Sequence, residues 1–217
     1  MKPGEFWDWK FREHPDEYGF EPNDFLRLAA GLLPPGSKVL SLGEGEGRNA
    51  LYLMRCGHSV TCVDASSVAR DRALKIFADA ARESTPDSHA LAKRLDAYLV
   101  MDLERELPTG NWDAVVSIWC HLPPAARRSL HSAIPGWLRP GGLYIAEGYS
   151  PDQLRFKTGG PPEIELLYDP EILRSEIPDA MDLEIFQKTE RLISEGTRHQ
   201  GMSSTMQIVA RRKSHAS

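Results

Sequence analysis

The chain contains no run of apolar residues approaching the ~20 that a membrane-spanning helix requires, which excludes a helical membrane protein. Its opening residues, Met1-Lys2-Pro3-Gly4-Glu5, carry neither the basic start nor the apolar stretch of a secretory leader, so a cytoplasmic location is expected. Positive charge is in deficit. The 26 Lys and Arg against 31 Asp and Glu leave a net charge of -5, a field that repels phosphate backbones and anionic bilayers. Neither a nucleic acid nor a membrane is expected as partner. Cysteine is scarce: Cys56, Cys62 and Cys120 form no C-x-x-C pair and sit in or beside apolar runs, so they read as reduced core thiols. The 7 histidines show no H-x-x-x-H spacing and no His/Cys cluster, and no metal site is expected. Repeats, low-complexity tracts and Pro/Gly/Ser linkers are also missing.

What remains is an ordinary 217-residue chain, 41% apolar, the profile of one domain. Strand and helix patterns alternate along it. Val39–Leu42 reads as a strand, followed by a helix from Asn49 to Cys56 that Gly57 ends. Ser59–Val63 is a second strand and Ser67–Glu83 a helix, with Ser67 as its cap and Ala69, Ala73, Phe77 and Ala80 on one face. Ala97–Met101 and Ala114–Trp119 lack simple alternation, which predicts strands buried on both faces. From Pro123 to Leu138 the spacing of Ala126, Leu130, Ile134 and Trp137 predicts a helix that Pro135 kinks or ends early. Pro140-Gly141-Gly142 breaks the chain before a strand at Leu143–Ala146. After Tyr149 the pattern turns irregular until Pro178, with Asp169-Pro170 opening a short helix that reaches Ile177. Leu183–Ile193 and Thr205–Ala210 have no helix between them and should pair antiparallel. The expectation is one α/β domain over residues 1–212, a mostly parallel sheet closed by a hairpin, with a disordered tail at 213–217.

The chemistry gathers at the first strand-to-helix turn, Gly43-Glu44-Gly45-Glu46-Gly47-Arg48-Asn49. Alternate glycines let the backbone bend and approach a ligand closely. In an open parallel sheet the ligand crevice lies beyond the carboxyl ends of the strands, so Asp64 and Asp102, ending the second and third strands, should face it too. A carboxylate at Asp64 suits ribose hydroxyls, and one at Asp102 suits an adenine amino group. A nicotinamide fingerprint G-x-G-x-x-G beginning at Gly43 would need glycine where Arg48 stands, so a nucleotide-dependent oxidoreductase is a weaker reading. Glu44 and Glu46 bring negative charge to the turn, which favours a ligand with cationic groups over a diphosphate.

This set resembles the class I S-adenosylmethionine-dependent methyltransferases. The resemblance is carried by Leu42-Gly43-Glu44-Gly45-Glu46-Gly47, Val63-Asp64, Met101-Asp102, the fourth-strand stretch Ser117-Ile118-Trp119-Cys120-His121-Leu122-Pro123, and the closing hairpin. Within that class Gly45–Leu53, Gly57–Thr61 and Glu195-Gly196-Thr197-Arg198-His199 are similar to the tellurite-resistance and thiopurine-methyltransferase-like small-molecule group. The resemblance implies a Rossmann-like, doubly wound, seven-stranded sheet and S-adenosyl-L-methionine as cofactor. It implies cofactor contacts from Gly43, Glu44, Gly45, Gly47, Asn49, Asp64, Ala65, Asp102, Leu103 and Ile118. Residues 1–22, with Trp9 and Tyr18–Asn23, look like the cap this group folds over the cofactor.

Two departures stand out. Ser41 replaces the usual acid two residues before the first glycine, where Glu44 is expected to supply the charge, and Gln200 follows His199 where the tellurite-resistance enzymes carry arginine. The acceptor is expected to be a small molecule, a thiol or chalcogen oxyanion, and the chain a monomer or weak dimer. His199, His121 and Glu147 are the candidate proton acceptors for an oxygen or amine nucleophile, whereas a soft anion needs none. Residues 150–178 are expected on the acceptor side, with Tyr149, Arg155, Lys157 and His199 toward the substrate. A noncatalytic S-adenosylmethionine-binding protein is the alternative.

Overall fold

Alternation within each strand builds the molecule. The computed structural model describes residues 2–83 and 88–214. Seven strands, β1 (Lys38–Leu42), β2 (Ser59–Asp64), β3 (Leu95–Val100), β4 (Trp112–Ile118), β5 (Leu138–Tyr149), β6 (Met181–Glu195) and β7 (His199–Arg212), form one sheet in the order β3-β2-β1-β4-β5-β7-β6. β1 to β5 are parallel, and β7 enters antiparallel between β5 and β6. Val39, Val60, Cys62, Val116 and Ile145 point to one face, where they meet Leu26 of α2 (Asp24–Ala29), Leu53 of α3 (Arg48–Arg55) and Phe77 of α4 (Ser67–Ala80), with the one-turn α5 (Ser88–Leu91) preceding β3. Leu40, Leu42, Val63, Val115 and Tyr144 point to the other, against Leu130 and Ile134 of α6 (Pro124–Trp137) and Leu173 of α7 (Pro170–Glu176). Period-2 alternation in strands apolar on both faces gives a sheet sandwiched between two helical layers. No helix among the described residues is long and apolar enough to cross a membrane.

Local chemistry explains most boundaries. α3 ends where Gly57 N–H donates to Met54 O and His58 N–H to Leu53 O, the paired bonds of a Schellman motif. Asp169 caps α7 by accepting from the N–H groups of Glu171 and Ile172. The cap of α4 is Ser66, which accepts from Ala69 N–H, so Ser67 is already inside the helix, and the helix stops at Ala80 rather than Glu83.

Three expectations about the elements are corrected. α6 runs through Pro135 to Trp137, because a proline in the last turn forfeits a single hydrogen bond with only two helical residues still to come. Pro140-Gly141-Gly142 lies inside β5, absorbed by a register shift against β4 between Trp112 and Ala114. β3 is a sheet edge rather than a buried strand, with Leu99 and Val100 37% and 41% exposed. Among the cysteines Cys62 is buried, Cys120 half-buried and Cys56 exposed, since it follows the solvent side of α3. At the carboxyl end Lys213 N–H donates to Ala180 O, and the expected tail beyond it, residues 215–217, lies outside the described residues.

The amino-terminal arm is a helix, α1 (Pro3–Glu13), laid on α4. Asp8 fixes it there by accepting from Ser66 Oγ at 2.7 Å, Ser67 Oγ at 3.1 Å and Val68 N–H at 3.0 Å, at the positive amino terminus of α4. Burial opposes ionisation of Asp8, yet these bonds hold its carboxyl below the ordinary value. The arm's turn is closed against the β6–β7 turn, where Thr197 N–H donates to Glu17 O at 2.8 Å and Arg198 Nε pairs with Glu17 at 2.7 Å.

Candidate active site

Because β2 and β3 lie to one side of β1 and β4 and β5 to the other, the connections diverge and leave a crevice at the carboxyl ends of the strands. A cavity of about 1040 Å³ occupies it, large for a single small ligand. Gly43, Glu44, Gly45, Asn49, Asp64, Ala65, Asp102, Leu103 and Ile118 line it together. Gly47 does not. It caps α3 at φ 90°, and a Cβ there would stand 2.5 Å from the Phe77 ring, so this glycine serves the packing of α3 on α4.

The acidic groups differ in what holds them. Asp64 accepts from Gly45 N–H and Ser66 N–H, both at 2.8 Å, so it pins the glycine turn while lining the cavity; burial raises its carboxyl to about 6 against those bonds. Glu44 accepts from Ser41 Oγ and, at 2.8 Å, from Ala50 N–H, with burial raising it to about 7. The serine at position 41 is thus a hydrogen-bond donor to the carboxylate three residues on. Glu46 also lines the cavity but is paired with Arg72 at 2.8 Å and accepts from Asp16 N–H, so the turn keeps one carboxyl without a cationic partner rather than two. Asp102 lines the cavity beside Arg105 at 3.3 Å.

The arm covers the crevice with Pro3, Phe6, Trp7, Lys10 and Phe11, one face of α1 by their spacing. Trp9 is on the opposite face, 46% exposed and packed on His14, which corrects its expected cofactor contact. Lys10 Nζ lies 5.1 Å above the Trp7 ring and 5.2 Å from that of Tyr18. Across from the arm, residues 157–163, Leu166 and the β6–β7 turn complete the wall.

The expected proton acceptors are mostly engaged elsewhere. Glu147 is fully buried outside the cavity, accepting from Asn23 Nδ2, Arg191, Thr205 Oγ1 and Gln207 Nε2, so it is a structural carboxylate. His121 lines the cavity, but its Nδ1 is 3.0 Å from Leu166 O and its Nε2 accepts from Tyr149 N–H, which fixes the tautomer and uses the lone pair. Burial lowers it to about 4. His199 lines the cavity among the rings of Tyr18, Trp119 and Tyr149, at 5.1, 5.4 and 5.4 Å, with Nδ1 unpartnered and burial pushing it down to about 3. Tyr149 is stacked behind Trp119 at 4.4 Å and covered by Gly159 and Gly160, and so stays off the cavity surface; burial pushes its hydroxyl up. Arg155 faces outward, paired with Glu190 and lying over Phe156, whereas Lys157 does reach the cavity. Arg155 is corrected accordingly: the short helical turn at Pro151–Arg155 aims it at the outer surface of β6. The Cys120 thiol, raised to about 12 by burial, stays protonated.

Sequence reading missed a buried polar group behind this wall. Arg48, at the start of α3, meets Glu195 at 2.5 Å, both buried. Glu195 also accepts from Trp119 Nε1 at 2.7 Å and Asn23 Nδ2 at 2.9 Å. These residues come from α3, the hairpin, the end of β4 and the cap of α2, and no sequence spacing connects them.

Comparison with known proteins agrees with this geometry. Residues 39–142 match a family model described as a methyltransferase domain. No curated protein matches the chain. Among solved structures, one concerned with the conversion of a disulfide bond into a thioacetal group during echinomycin biosynthesis is 20% identical, covers 99% of this chain and 93% of that one, and has a TM-score of 0.71. TehB from Haemophilus influenzae is 17% identical over 95% of this chain and 67% of its own, with a TM-score of 0.68. The N-methyltransferase NodS from Bradyrhizobium japonicum, in complex with S-adenosyl-l-homocysteine, is 12% identical over 96% and 99%, with a TM-score of 0.64. Residues 39–142 are thus similar to a methyltransferase domain, and the whole chain shares the Rossmann-like, seven-stranded fold of these structures.

Proposed function

We propose that the chain is an S-adenosylmethionine-dependent methyltransferase whose acceptor is a small molecule attacking through a soft atom, a thiolate or a chalcogen oxyanion. The donor set of the cavity fits the cofactor: a buried carboxyl without a cationic partner at Glu44 for its ammonium end, Asp64 for ribose hydroxyls, and Asp102 for an adenine amino group. When bound, the cofactor supplies an electrophilic methyl group on a sulfonium. The chain's own work is alignment and exclusion of water. Alignment of reacting groups is worth roughly 7 to 11 kcal/mol in favourable cases. Transfer from a cation to an anion cancels charge, so the aromatic walls provided by Trp7, Phe11, Tyr18 and Trp119 favour it by keeping the medium poor in water.

The observation that carries the acceptor class is the state of its histidine wall. His121 has no free lone pair and His199, lowered to about 3, is a poor base, so a nucleophile that must lose a proton in the transition state gains little here. The related fold associated with disulfide-to-thioacetal conversion works at sulfur, which supports the same reading. The finer resemblance to the tellurite-resistance group belongs with it, with Gln200 at the cavity wall in place of that group's arginine.

Two measurements test it. S-adenosylhomocysteine at a hundred times its Kd should add about 2.7 kcal/mol of stability, and NAD none; the absence of that shift would sink the cofactor assignment. Turnover over a panel of small thiols, chalcogen oxyanions and amines should favour the first two at least tenfold. Preference for amines would refute the acceptor class, and stabilisation with no turnover on any would return the noncatalytic binder.

A further inference from the structure

Trp119 is the one lining residue of the cavity besides Lys157 that is not glycine and yet holds a left-handed backbone, at φ 57°, among the described residues. An L side chain bears that conformation at a cost, and only where its surroundings over-determine it. Two bonds do so here. Trp119 N–H donates to Glu147 O at 2.9 Å, and its indole Nε1–H donates to Glu195 Oε2 at 2.7 Å. The indole is stacked on Tyr149 at 4.4 Å and meets His199 edge-on at 5.4 Å. It stands at the carboxyl end of β4, between the glycine turn that faces the cofactor end and the β6–β7 turn on the other side.

Glu195 is itself fixed from three directions. Arg48 from α3 pairs with the same Oε2, Asn23 at the cap of α2 donates to Oε1 at 2.9 Å, and Arg191 approaches that oxygen at 3.5 Å. Burial works against ionisation of this carboxyl, but the Arg48 guanidinium and the bonds from Arg48 and Trp119 outweigh it. A buried charge spread over the start of α2, α3 and the hairpin adds little net stability compared with apolar packing. What it does supply is a fixed direction for one indole N–H.

We propose that Glu195 is a positioning residue for methyl transfer: anchored by Arg48, it locks the Trp119 indole as the wall that aligns the acceptor against the transferred methyl. The catalytic surface is then Trp119, and the Glu195–Arg48 pair acts only through it. Because Asn23, the cap of α2, reaches the same carboxylate, the start of α2 and the setting of the indole are tied together. This rests on the methyltransferase reading above, so the test includes a measurement that needs no turnover.

The protein is labelled with 5-fluorotryptophan and the Trp119 fluorine line identified by its loss in Trp119→Phe. In Glu195→Gln that line should shift or broaden while the other tryptophan lines stay put. With an acceptor in hand, kcat should fall at least tenfold with the Kd for S-adenosylhomocysteine within twofold. Trp119→Phe should do the same, and the Trp119→Phe/Glu195→Gln double variant should be no slower than the slower single. An unmoved fluorine line, or single effects that multiply in the double variant, would overturn the proposal. Should Glu195→Gln fail to fold, Arg48→Lys, which keeps the charge but displaces the carboxylate, is read in its place with the same expectations. Failure of the methyltransferase reading would leave the fluorine result standing by itself.

Discussion

Binding of the cofactor should release a proton, and Glu44 is the reason. Its carboxyl is buried beside the glycine turn, has no cation within ion-pair distance among the described residues, and is raised from an ordinary 4.5 to about 7, mainly by burial. A ligand ammonium placed at this carboxyl favours its charged form. Return to the ordinary value corresponds to about 3 kcal/mol of coupling, at 1.36 kcal/mol per pKa unit. At pH 6.5 roughly three-quarters of the free protein would hold that proton and almost none of the complex would, so about 0.7 proton should leave per ligand bound.

Linkage fixes the sign: affinity for S-adenosylhomocysteine should weaken about tenfold from pH 8 to pH 6. His121 and His199, lowered to about 4 and about 3, stay neutral throughout this window, while Asp64, raised to about 6, adds only at its lower end. Calorimetric titration in buffers of different ionisation enthalpy reads the proton count directly. Glu44→Gln should abolish most of it and flatten the pH dependence. A wild-type Kd constant from pH 6 to 8 with no proton released would refute the placement of the ammonium at Glu44.

Two further outcomes concern the scaffold. Burial opposes ionisation of Glu176, but His131 and Arg127 hold its carboxyl down at about 2 from an ordinary 4.5, a difference of about 3 kcal/mol that is present above pH 4.5 and lost as pH falls toward 2. Glu176→Ala strands buried Arg127 and should cost about 3 to 5 kcal/mol at pH 7, with a flatter acid limb in urea titrations; an unchanged midpoint would show the pair to be idle. At the arm's latch, a Cβ on Gly196 would lie 2.1 Å from Glu17 O and 2.5 Å from Gly19 N, at φ 59°. Gly196→Ala should therefore expose the 13–22 turn to protease and weaken S-adenosylhomocysteine binding while thermal unfolding of the core shifts by only about 1 to 3 kcal/mol; protection equal to wild type would show that the arm closes without this contact.

The strands and helices around the sheet were legible because their signals are local. Gly57 announces the end of α3, Asp169-Pro170 the start of α7, and two long extended segments without a spacer the hairpin. Misreadings came where a tertiary neighbour outweighed the local pattern. β3 shows a buried-type run yet is an edge, since apolar content alone does not say which strand is last. Pro135 is a strong breaker in mid-helix and a weak one two residues from the end.

The site divides along the same line. Gly43, Glu44, Gly45, Asp64 and Asp102 could be read because a parallel sheet forces every strand's carboxyl end into one crevice, so position along each strand already implies proximity. Nothing comparable orders the acceptor side. Trp9 looked as suited to the cavity as Trp7, and only helical phase separates them: residues 3, 6, 7, 10 and 11 fall on one face of α1 and residue 9 on the other. Glu147 looked like a base at a strand end, but it sits at a strand that β7 covers, where Arg191, Thr205 and Gln207 reach it from the hairpin. A carboxylate there is consumed by the chain that returns over it. The hairpin therefore decides the chemistry of the acceptor side twice. It removes Glu147 from solvent, and through Glu195 it sets the indole of Trp119, so substitutions in β6 and β7 should alter acceptor choice more than those in the glycine turn, which act on the donor.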